Sequence, residues 1–315
     1  MKVVLAGQLG PEELARWRAE LQAAAPEMTW LDAPQARAQA GEVEAAVVAN
    51  PPPGALQGLP ALRLIQSLWA GVDRILADTT LPEDVPLARM VDPAMNTAMA
   101  ETALWAVLSL HRCFLDYQRQ QREGRWQPLP QRRADEIQVL VLGYGQMGRT
   151  AASALAARGY AVQAWRLQEG PTRAEEGVQV AAGDDALHAM CAGAQVVINL
   201  LPLTDRTRHL LDAAFFARLP PGAAVVNLAR GAHLVDEDLL AALDSGHLGH
   251  AVLDVFQVEP LPASHRFWTH PSVTLLPHAA ALTDPRSAAA VVATNLRALR
   301  DGRTLAHLVR RARGY

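Results

Sequence analysis

Short runs of Val, Ile, Leu and Ala alternate along this chain with longer stretches whose apolar positions recur at helical spacing, almost from end to end. Uninterrupted apolar runs suit strands buried on both faces, and their alternation with helical segments is the pattern of parallel sheets joined by helical crossovers. In the first part the runs predict strands near 2–6 (KVVLA), 28–31, 45–49 (AAVVA), 63–68 (RLIQSL) and 87–91. From about Asn96 to Gln121 a long helix is predicted, with Met99, Ala103, Ala106, Val107, Leu110 and Phe114 on one face. After the polar, Pro-containing stretch QPLPQRRADE (127–136), a second series predicts strands at IQVLVL, YAVQAW, QVVINLL, AAVVNLA, HAVLDVF and VTLLP. A last helix, from about Pro285 to Arg300, could return to the first domain and leave the second sheet as an insertion. The expected class is α/β, with two doubly wound parallel-sheet domains.

Composition narrows the partners. Of the 315 residues, half are hydrophobic and 19% charged, enough for two packed cores. Lys and Arg (29) nearly balance Asp and Glu (32), leaving no basic excess for nucleic-acid phosphates or an anionic membrane, so a small molecule is the expected partner. The longest uninterrupted apolar runs, 103–108 and 288–293, have six residues, against the ~20 that cross a bilayer. Two cysteines, Cys113 and Cys191, make neither a disulfide framework nor a four-thiolate metal site, so a reducing cytoplasm is the expected compartment. His265 and His270 lie in a polar loop without an HExxH or a cysteine cluster, so no metal is expected, and no GxSxG elbow supports a serine hydrolase.

The strongest local signal is Gly143-Tyr144-Gly145-Gln146-Met147-Gly148, directly after IQVLVL and one residue before TAASALAARG. In a strand, loop and helix context, such glycines permit a tight turn and a close approach of backbone to a pyrophosphate, which the helix N-terminus then binds. The next strand ends at Trp165-Arg166, where an NAD-binding fold normally places an acid on the ribose 2'-hydroxyl. A guanidinium there suits a 2'-phosphate, so NADP is expected in preference to NAD. Arg173 could assist, and Glu169 would oppose it.

Ligands of open parallel sheets bind outside the carboxyl ends of the strands. Four ends carry polar groups: VVINLL runs into Pro202 and Thr204, AAVVNLA into Arg230-Gly231, HAVLDVF into Glu259-Pro260, and VTLLP into His278. Singly each is most often a surface group; together they supply what reduction of an anionic 2-keto acid requires. Arg230 would bind the carboxylate and His278 would donate a proton to the carbonyl oxygen, while Glu259 would hold His278 and favour its charged form.

At this point the wording of the chain resembles the D-isomer-specific 2-hydroxyacid dehydrogenase family, and within it the glyoxylate/hydroxypyruvate reductase A branch. The matching phrases are SLWAGVD (67–73), MAETALW (99–105), DYQ (116–118), WQPLP (126–130), GYGQMG (143–148), NLLPLTDRTRHLL (199–211), NLARG (227–231), LDVFQVEPLP (253–262) and LLPHAA (275–280). The resemblance implies that Arg230, Glu259 and His278 are the catalytic set, that Asp254 holds the nicotinamide amide, and that Leu201, Pro202 and Thr207 line the cofactor. It further implies that the Ala70 and Gly71 amides, beside Trp69, hold the substrate carboxylate. A Rossmann NAD(P)-binding domain (97–285) would be inserted in a smaller flavodoxin-like substrate or lid domain (1–96 and 286–315). A cleft closing over the substrate and a homodimer paired through the cofactor domain complete the expectation, with reduction of a small 2-keto acid to the D-2-hydroxy acid as the activity.

Two departures bear on the substrate. The chain reads Val48-Ala49-Asn50-Pro51-Pro52 where the branch commonly has an aromatic residue in a phrase like VWHPP, and Trp69 stands where a glycine is common. A non-catalytic dinucleotide-sensing protein is the alternative, since relatives of this fold act as transcriptional corepressors; the complete Arg, Glu and His set argues against it. A formate dehydrogenase-like enzyme would carry Gln in place of Glu259.

Overall fold

In the computed structural model, which describes residues 1–167 and 170–315, the N-terminal apolar runs form five parallel strands. These are β1 (Lys2–Gly7), β2 (Thr29–Leu31), β3 (Val43–Ala49), β4 (Leu64–Ser67) and β5 (Leu87–Ala88), in the spatial order β2-β1-β3-β4-β5. That is the flavodoxin-type winding. Helices α1 (Pro11–Ala24), α2 (Ala33–Ala38) and α3 (Asp73–Leu76) lie between the strands. Proline in the first turn starts α1, which buries Trp17 and Leu21, four residues apart on one face. A reciprocal capping box starts α2: Asp32 Oδ1 accepts from the Gln35 amide at 2.8 Å and the Gln35 side chain accepts from the Asp32 amide at 3.0 Å.

The long helix expected over 96–121 is two helices, α4 (Pro93–His111) and α5 (Phe114–Arg122). Cys113 breaks the run with φ +56°, and the last turn of α4 is held by His111, whose ring contacts Tyr160 Oη at 2.9 Å and the Arg132 carbonyl at 2.7 Å. Phe114, expected on the buried face, is half exposed because it begins a new helix beyond that turn.

The second sheet contains β6 (Gln138–Leu142), β7 (Ala161–Arg166), β8 (Arg173–Glu175), β9 (Val178–Ala182), β10 (Val196–Asn199), β11 (Ala223–Asn227), β12 (Leu248–Leu253) and β13 (Val273–Leu275). Helices α6 (Gln146–Ala156), α7 (Asp184–Cys191), α8 (Ala213–Phe216) and α9 (Asp236–Asp244) lie between them. The order is β13-β12-β11-β10-β6-β7-β9-β8, parallel except for β8. Between β9 and β12 this is the 3-2-1-4-5-6 order of a Rossmann sheet, and the winding reverses between β6 and β10. Along β6 the side chains alternate between the two cores: Leu140 and Leu142 join one, Val139 and Val141 the other.

The hairpin β8–β9 has no counterpart among the strands predicted from sequence. Its two-residue turn, Glu176-Gly177, has positive φ at both positions (+51° and +78°), the geometry that matches strand twist. On β9, Val178 and Val180 join one core and Ala181 the other, but exposed Gln179 lies between the valines, so no apolar run marks the strand.

The last helix, α10, spans Pro285–Arg300 and is started by Asp284, whose Oδ1 accepts from the Arg286 amide at 3.0 Å. By contacts the chain divides into Met1–Met95 with Thr283–Tyr315, and Asn96–Leu282. In the first unit α10 packs on α1, and Arg297 ties it to Glu27 at 2.7 Å and to the Ala24 carbonyl at 2.7 Å. Among the described residues, no helix is long and apolar enough to cross a membrane.

Asn295 is the polar pin of the first unit. It is 1% exposed; its Nδ2 donates to Gln66 Oε1 (2.7 Å) and the Ala306 carbonyl (3.1 Å), and its Oδ1 accepts from the Ala306 amide (2.8 Å). Asn295→Ala would orphan the buried Gln66 carbonyl and is expected to cost about 2 to 4 kcal/mol. The neighbouring exposed Thr294→Ala should stay within about 0.5 kcal/mol. Denaturant titration checks both, and equal midpoints for the two variants would count against the pin.

Candidate active site

At the carboxyl end of β6 the chain turns through Gly143, with φ +98°. A Cβ there would lie 2.6 Å from the Leu200 carbonyl oxygen, and one at Gly148 would lie 1.7 Å from the Gly143 carbonyl oxygen. Both positions therefore require glycine for internal packing. Gly145 differs: its φ is −82° and an added Cβ meets nothing within 4 Å among the described residues. Gly145 immediately precedes α6, no side chain caps that helix, and Gln146 and Met147 occupy its first turn. The loop thus presents an uncovered helix N-terminus at the reversal of the winding, a site for an anion.

Arg166 ends β7. Its Nη2 donates to the Pro171 carbonyl at 3.3 Å, while its Nε is buried with no hydrogen-bond partner among the described residues. Trp165 is 2% exposed and its indole Nε1 donates to the Gly183 carbonyl at 2.9 Å, so its ring packs the core and secures the strand end. Arg173 pairs with Glu175 at 2.9 Å within its own strand. Glu169, expected to oppose Arg173, lies outside the described residues.

The ends of β10 and β11 are clasped by two residues that sequence reasoning missed. Asn199 and Asn227 are fully buried, and Asn199 Nδ2 donates to Asn227 Oδ1 at 3.0 Å. Asn199 Oδ1 accepts from the Leu201 amide (3.2 Å), and Asn227 Nδ2 donates to the Arg230 carbonyl (3.0 Å). The signal was an Asn ending each of two otherwise apolar strands. Beyond them, Thr207 is buried, its hydroxyl donating to the Pro202 carbonyl (2.7 Å) and accepting from the Thr204 amide (2.8 Å). Thr207 therefore shapes the loop that carries Leu201 and Pro202.

Arg230 follows β11, and its Nη1 donates to the Ala229 carbonyl at 2.8 Å. A Cβ on Gly231 would fall 1.9 Å from the Phe256 carbonyl carbon, so this glycine lets the Arg230 loop lie directly on the loop that carries Glu259. Glu259 is gripped at both oxygens: Oε1 accepts from the Phe256 amide at 3.0 Å, and Oε2 lies 2.8 Å from His278 Nδ1. The His278 side chain is 49% exposed, and its other ring nitrogen has no hydrogen-bond partner among the described residues. Asp254, 1% exposed, fixes the histidine's segment. Its main-chain carbonyl accepts from the His278 amide (2.8 Å), and its carboxylate accepts from the amides of Ala279 (2.6 Å) and Ala280 (3.1 Å). Burial pushes the Asp254 carboxyl above the usual range, against the lowering effect of those two amides.

In the first unit, Trp69, Ala70 and Gly71 follow β4 and are half-buried. The Trp69 amide donates to Ser67 Oγ (3.0 Å) and its carbonyl accepts from the Met90 amide (3.0 Å). The Trp69 ring meets buried Trp17 edge to face at 6.1 Å. The amides of Ala70 and Gly71 have no acceptor among the described residues. Also among the described residues, no group of three His, Cys, Asp or Glu side chains is placed to hold a metal; His265 instead faces Asp236 at 3.4 Å and His270 faces Asp244 at 3.2 Å.

A Rossmann-wound sheet with a bare glycine loop, and an acid–histidine pair at the same carboxyl edge, define a dinucleotide-binding dehydrogenase domain. Residues 104–280, more than half of the chain, match the NAD binding domain of the D-isomer specific 2-hydroxyacid dehydrogenases, and the chain belongs to that family. It is 43% identical over 275 residues to glyoxylate/hydroxypyruvate reductase A of Serratia proteamaculans, covering 86% of this chain and 87% of that protein. Among solved structures it is similar to a D-isomer specific 2-hydroxyacid dehydrogenase from Xanthobacter autotrophicus Py2 in complex with NADPH and MES (TM-score 0.92, 39% identity, covering 100% of this chain and 99% of that one). It is also similar to an NADPH-dependent glyoxylate/hydroxypyruvate reductase from Sinorhizobium meliloti in complex with NADP and sulfate (TM-score 0.90, 33% identity, 100% and 99% covered).

The glycine loop yields a direct test. Gly145→Ala meets no neighbour in the protein, so stability should stay within about 0.5 kcal/mol, yet the methyl group would intrude where the backbone must approach a pyrophosphate. Calorimetric titration with NADPH should give at least tenfold weaker binding, about 1.4 kcal/mol. Wild-type affinity in the folded variant would move the phosphate elsewhere.

Proposed function

We propose that this protein is an NAD(P)H-dependent reductase that converts a small 2-keto acid, of the glyoxylate or hydroxypyruvate type, to the D-2-hydroxy acid. The observation that carries the reading is the 2.8 Å contact between His278 Nδ1 and Glu259, at the sheet edge that also bears the glycine loop and Arg230. Relatives at 40% to 43% identity are named for this activity, and two similar structures hold NADPH or NADP.

When bound, the dinucleotide supplies the hydride that reduces C2. Gly143, Gly145 and Gly148, with the first turn of α6 (Gln146, Met147), would hold its pyrophosphate, Leu201 and Pro202 would line it, and Arg166 would meet a 2'-phosphate. The orphaned Nε of Arg166 fits that role, since a guanidinium makes its strongest bonds to phosphate oxygens. Trp165, Thr207 and Asp254 hold the surrounding segments through the bonds described above. Glu259 accepts from His278 Nδ1, which leaves Nε2–H of the charged ring to deliver the proton to the nascent alkoxide. Arg230, itself anchored at Ala229, binds the carboxylate and polarises the carbonyl. In the first unit the reading assigns substrate recognition to Trp69 and to the unclaimed amides of Ala70 and Gly71.

We further propose a homodimer, paired through the α4–α5 face of the cofactor domain. Trp105 (40% exposed) and Phe114 (50%) border an apolar groove of about 730 Å³ there, and Trp126, in the segment after α5, is 97% exposed. The same reading places the protein in the cytoplasm, where Cys113 and Cys191 stay reduced; both are free thiols.

In the purified protein, His278→Ala and Arg230→Ala should each lower kcat/KM for glyoxylate or hydroxypyruvate with NADPH by at least ~100-fold, with the Kd for NADPH within about threefold of wild type. Near-normal turnover in either variant would remove that residue from the mechanism. Arg166→Ala should weaken NADPH by ~1.5 to 3 kcal/mol while leaving NADH nearly unchanged. Equal losses for the two cofactors would show that Arg166 does not read the 2'-phosphate.

A further inference from the structure

His233 is completely buried, three residues after Arg230, and both of its ring nitrogens face main-chain carbonyls. Nδ1 lies 3.1 Å from the Arg230 carbonyl oxygen and Nε2 lies 3.3 Å from the Pro202 carbonyl oxygen. The ring therefore spans the gap between the loop after β10 and the loop after β11. Each carbonyl already accepts one side-chain donor on its own side, Thr207 Oγ1 on Pro202 at 2.7 Å and Asn227 Nδ2 on Arg230 at 3.0 Å. His233 is thus the side chain that joins these two carbonyls. The main chain reinforces the bridge: the Leu211 amide donates to the His233 carbonyl (2.9 Å), the His209 amide to the Ala232 carbonyl (2.9 Å), and the Val235 amide to the Leu211 carbonyl (3.1 Å).

We propose that His233 is a positioning residue that couples the two ligands, so that ordering of the Pro202 loop by the dinucleotide presets Arg230 for the keto-acid carboxylate. The proposal rests on the reading given above, in which Pro202 lines the cofactor and Arg230 binds the carboxylate. The physical basis is that both loops are irregular backbone whose carbonyls are fixed by few donors, and one rigid aromatic ring sets the distance between them. A neutral ring donates its one N–H to one of these carbonyls and packs against the other, so displacing either loop disturbs the same buried side chain and the two loops share their placement. Coupling of this kind appears as a change in the affinity for one ligand when the other is bound, and it is reciprocal.

The experiment uses oxamate, an unreactive mimic of a 2-keto acid, titrated into the full-length protein with and without saturating NADPH. In the wild type, NADPH should tighten oxamate at least fivefold. In His233→Phe, which keeps an aromatic ring and loses both nitrogens, that factor should fall to below twofold while NADPH alone binds within about threefold of wild type. His233→Gln, whose side-chain NH2 can still donate to a carbonyl, should retain an intermediate factor. An unchanged coupling factor in a folded His233→Phe protein would overturn the proposal, as would a wild type whose oxamate affinity is indifferent to NADPH. No binding of oxamate under either condition would instead overturn the keto-acid reading, and the coupling with it. A measurement on the unaltered protein guards against variants that fail to fold. NADPH alone should slow amide hydrogen exchange across 229–235 as well as 201–211, and protection confined to 201–211 would refute the bridge.

Discussion

The bond between the side chains of Asn199 and Asn227 is the interaction on which the arrangement of the candidate site depends. Where two parallel strands end, their ladder stops supplying partners, and the emerging loops must find others for their buried N–H and C=O groups. Two fully buried amides at neighbouring strand ends answer this need. Each is bonded to the other and to the first residues of a loop, Leu201 in one case, Ala229 and Arg230 in the other. An unpaired amide at that depth would cost as much as the bonds contribute, so the loops have little freedom to depart in other directions. The paths toward Pro202 and toward Arg230 are thereby set by one side-chain pair.

From that clasp the rest of the edge follows by close backbone contact. Gly231 lays the Arg230 loop on Phe256, the Phe256 amide holds Glu259, and Glu259 holds His278. On the far side Asp254 accepts from the amide of that histidine and from the two amides that follow it, although burial disfavours its charge. Arg230 and Glu259 are each bonded to a main-chain group, and His278 is held by the Glu259 side chain and, through its own amide, by the Asp254 carbonyl. That suits a reaction whose donors must be in place before charge develops on the substrate.

Most of the sheet was legible in the sequence because a strand buried on both faces has to be written in Val, Ile, Leu and Ala, as in QVLVL and AAVVN. The edge hairpin was not, since RAE is charged and VQVAA alternates, and neither gives a continuous run. Periodicity also carried the helix reading past Cys113, where tertiary contacts of His111 end the helix without a glycine or proline to announce it. At the site, glycine spacing and strand-end charges pointed to the loop and to Arg230, Glu259 and His278. Asn199 and Asn227 escaped because a polar residue at a strand end reads as the start of a loop, and His233 because it lies within such a loop. What sets them apart is burial, which is a property of the packed tertiary structure.

The same division separates what is rigid here from what is free to vary. On the proposed reading, Arg230, Glu259 and His278, held along the sheet edge, are the groups that reduction of a 2-keto acid would need. Trp69 and Arg166 are held differently. Trp69 is steadied by ring packing against Trp17, and Arg166, among the described residues, by one long bond to the Pro171 carbonyl, its Nε having no partner there. Aromatic packing tolerates replacement by other apolar side chains, and a guanidinium at a strand end can be exchanged for an acid without disturbing the ladder. On the proposed reading, substrate width and the choice between phosphorylated and unphosphorylated cofactor would therefore rest on side chains that the fold does not require. Selectivity can then change at those positions while the proton donor and its carboxylate partner remain where the sheet edge puts them.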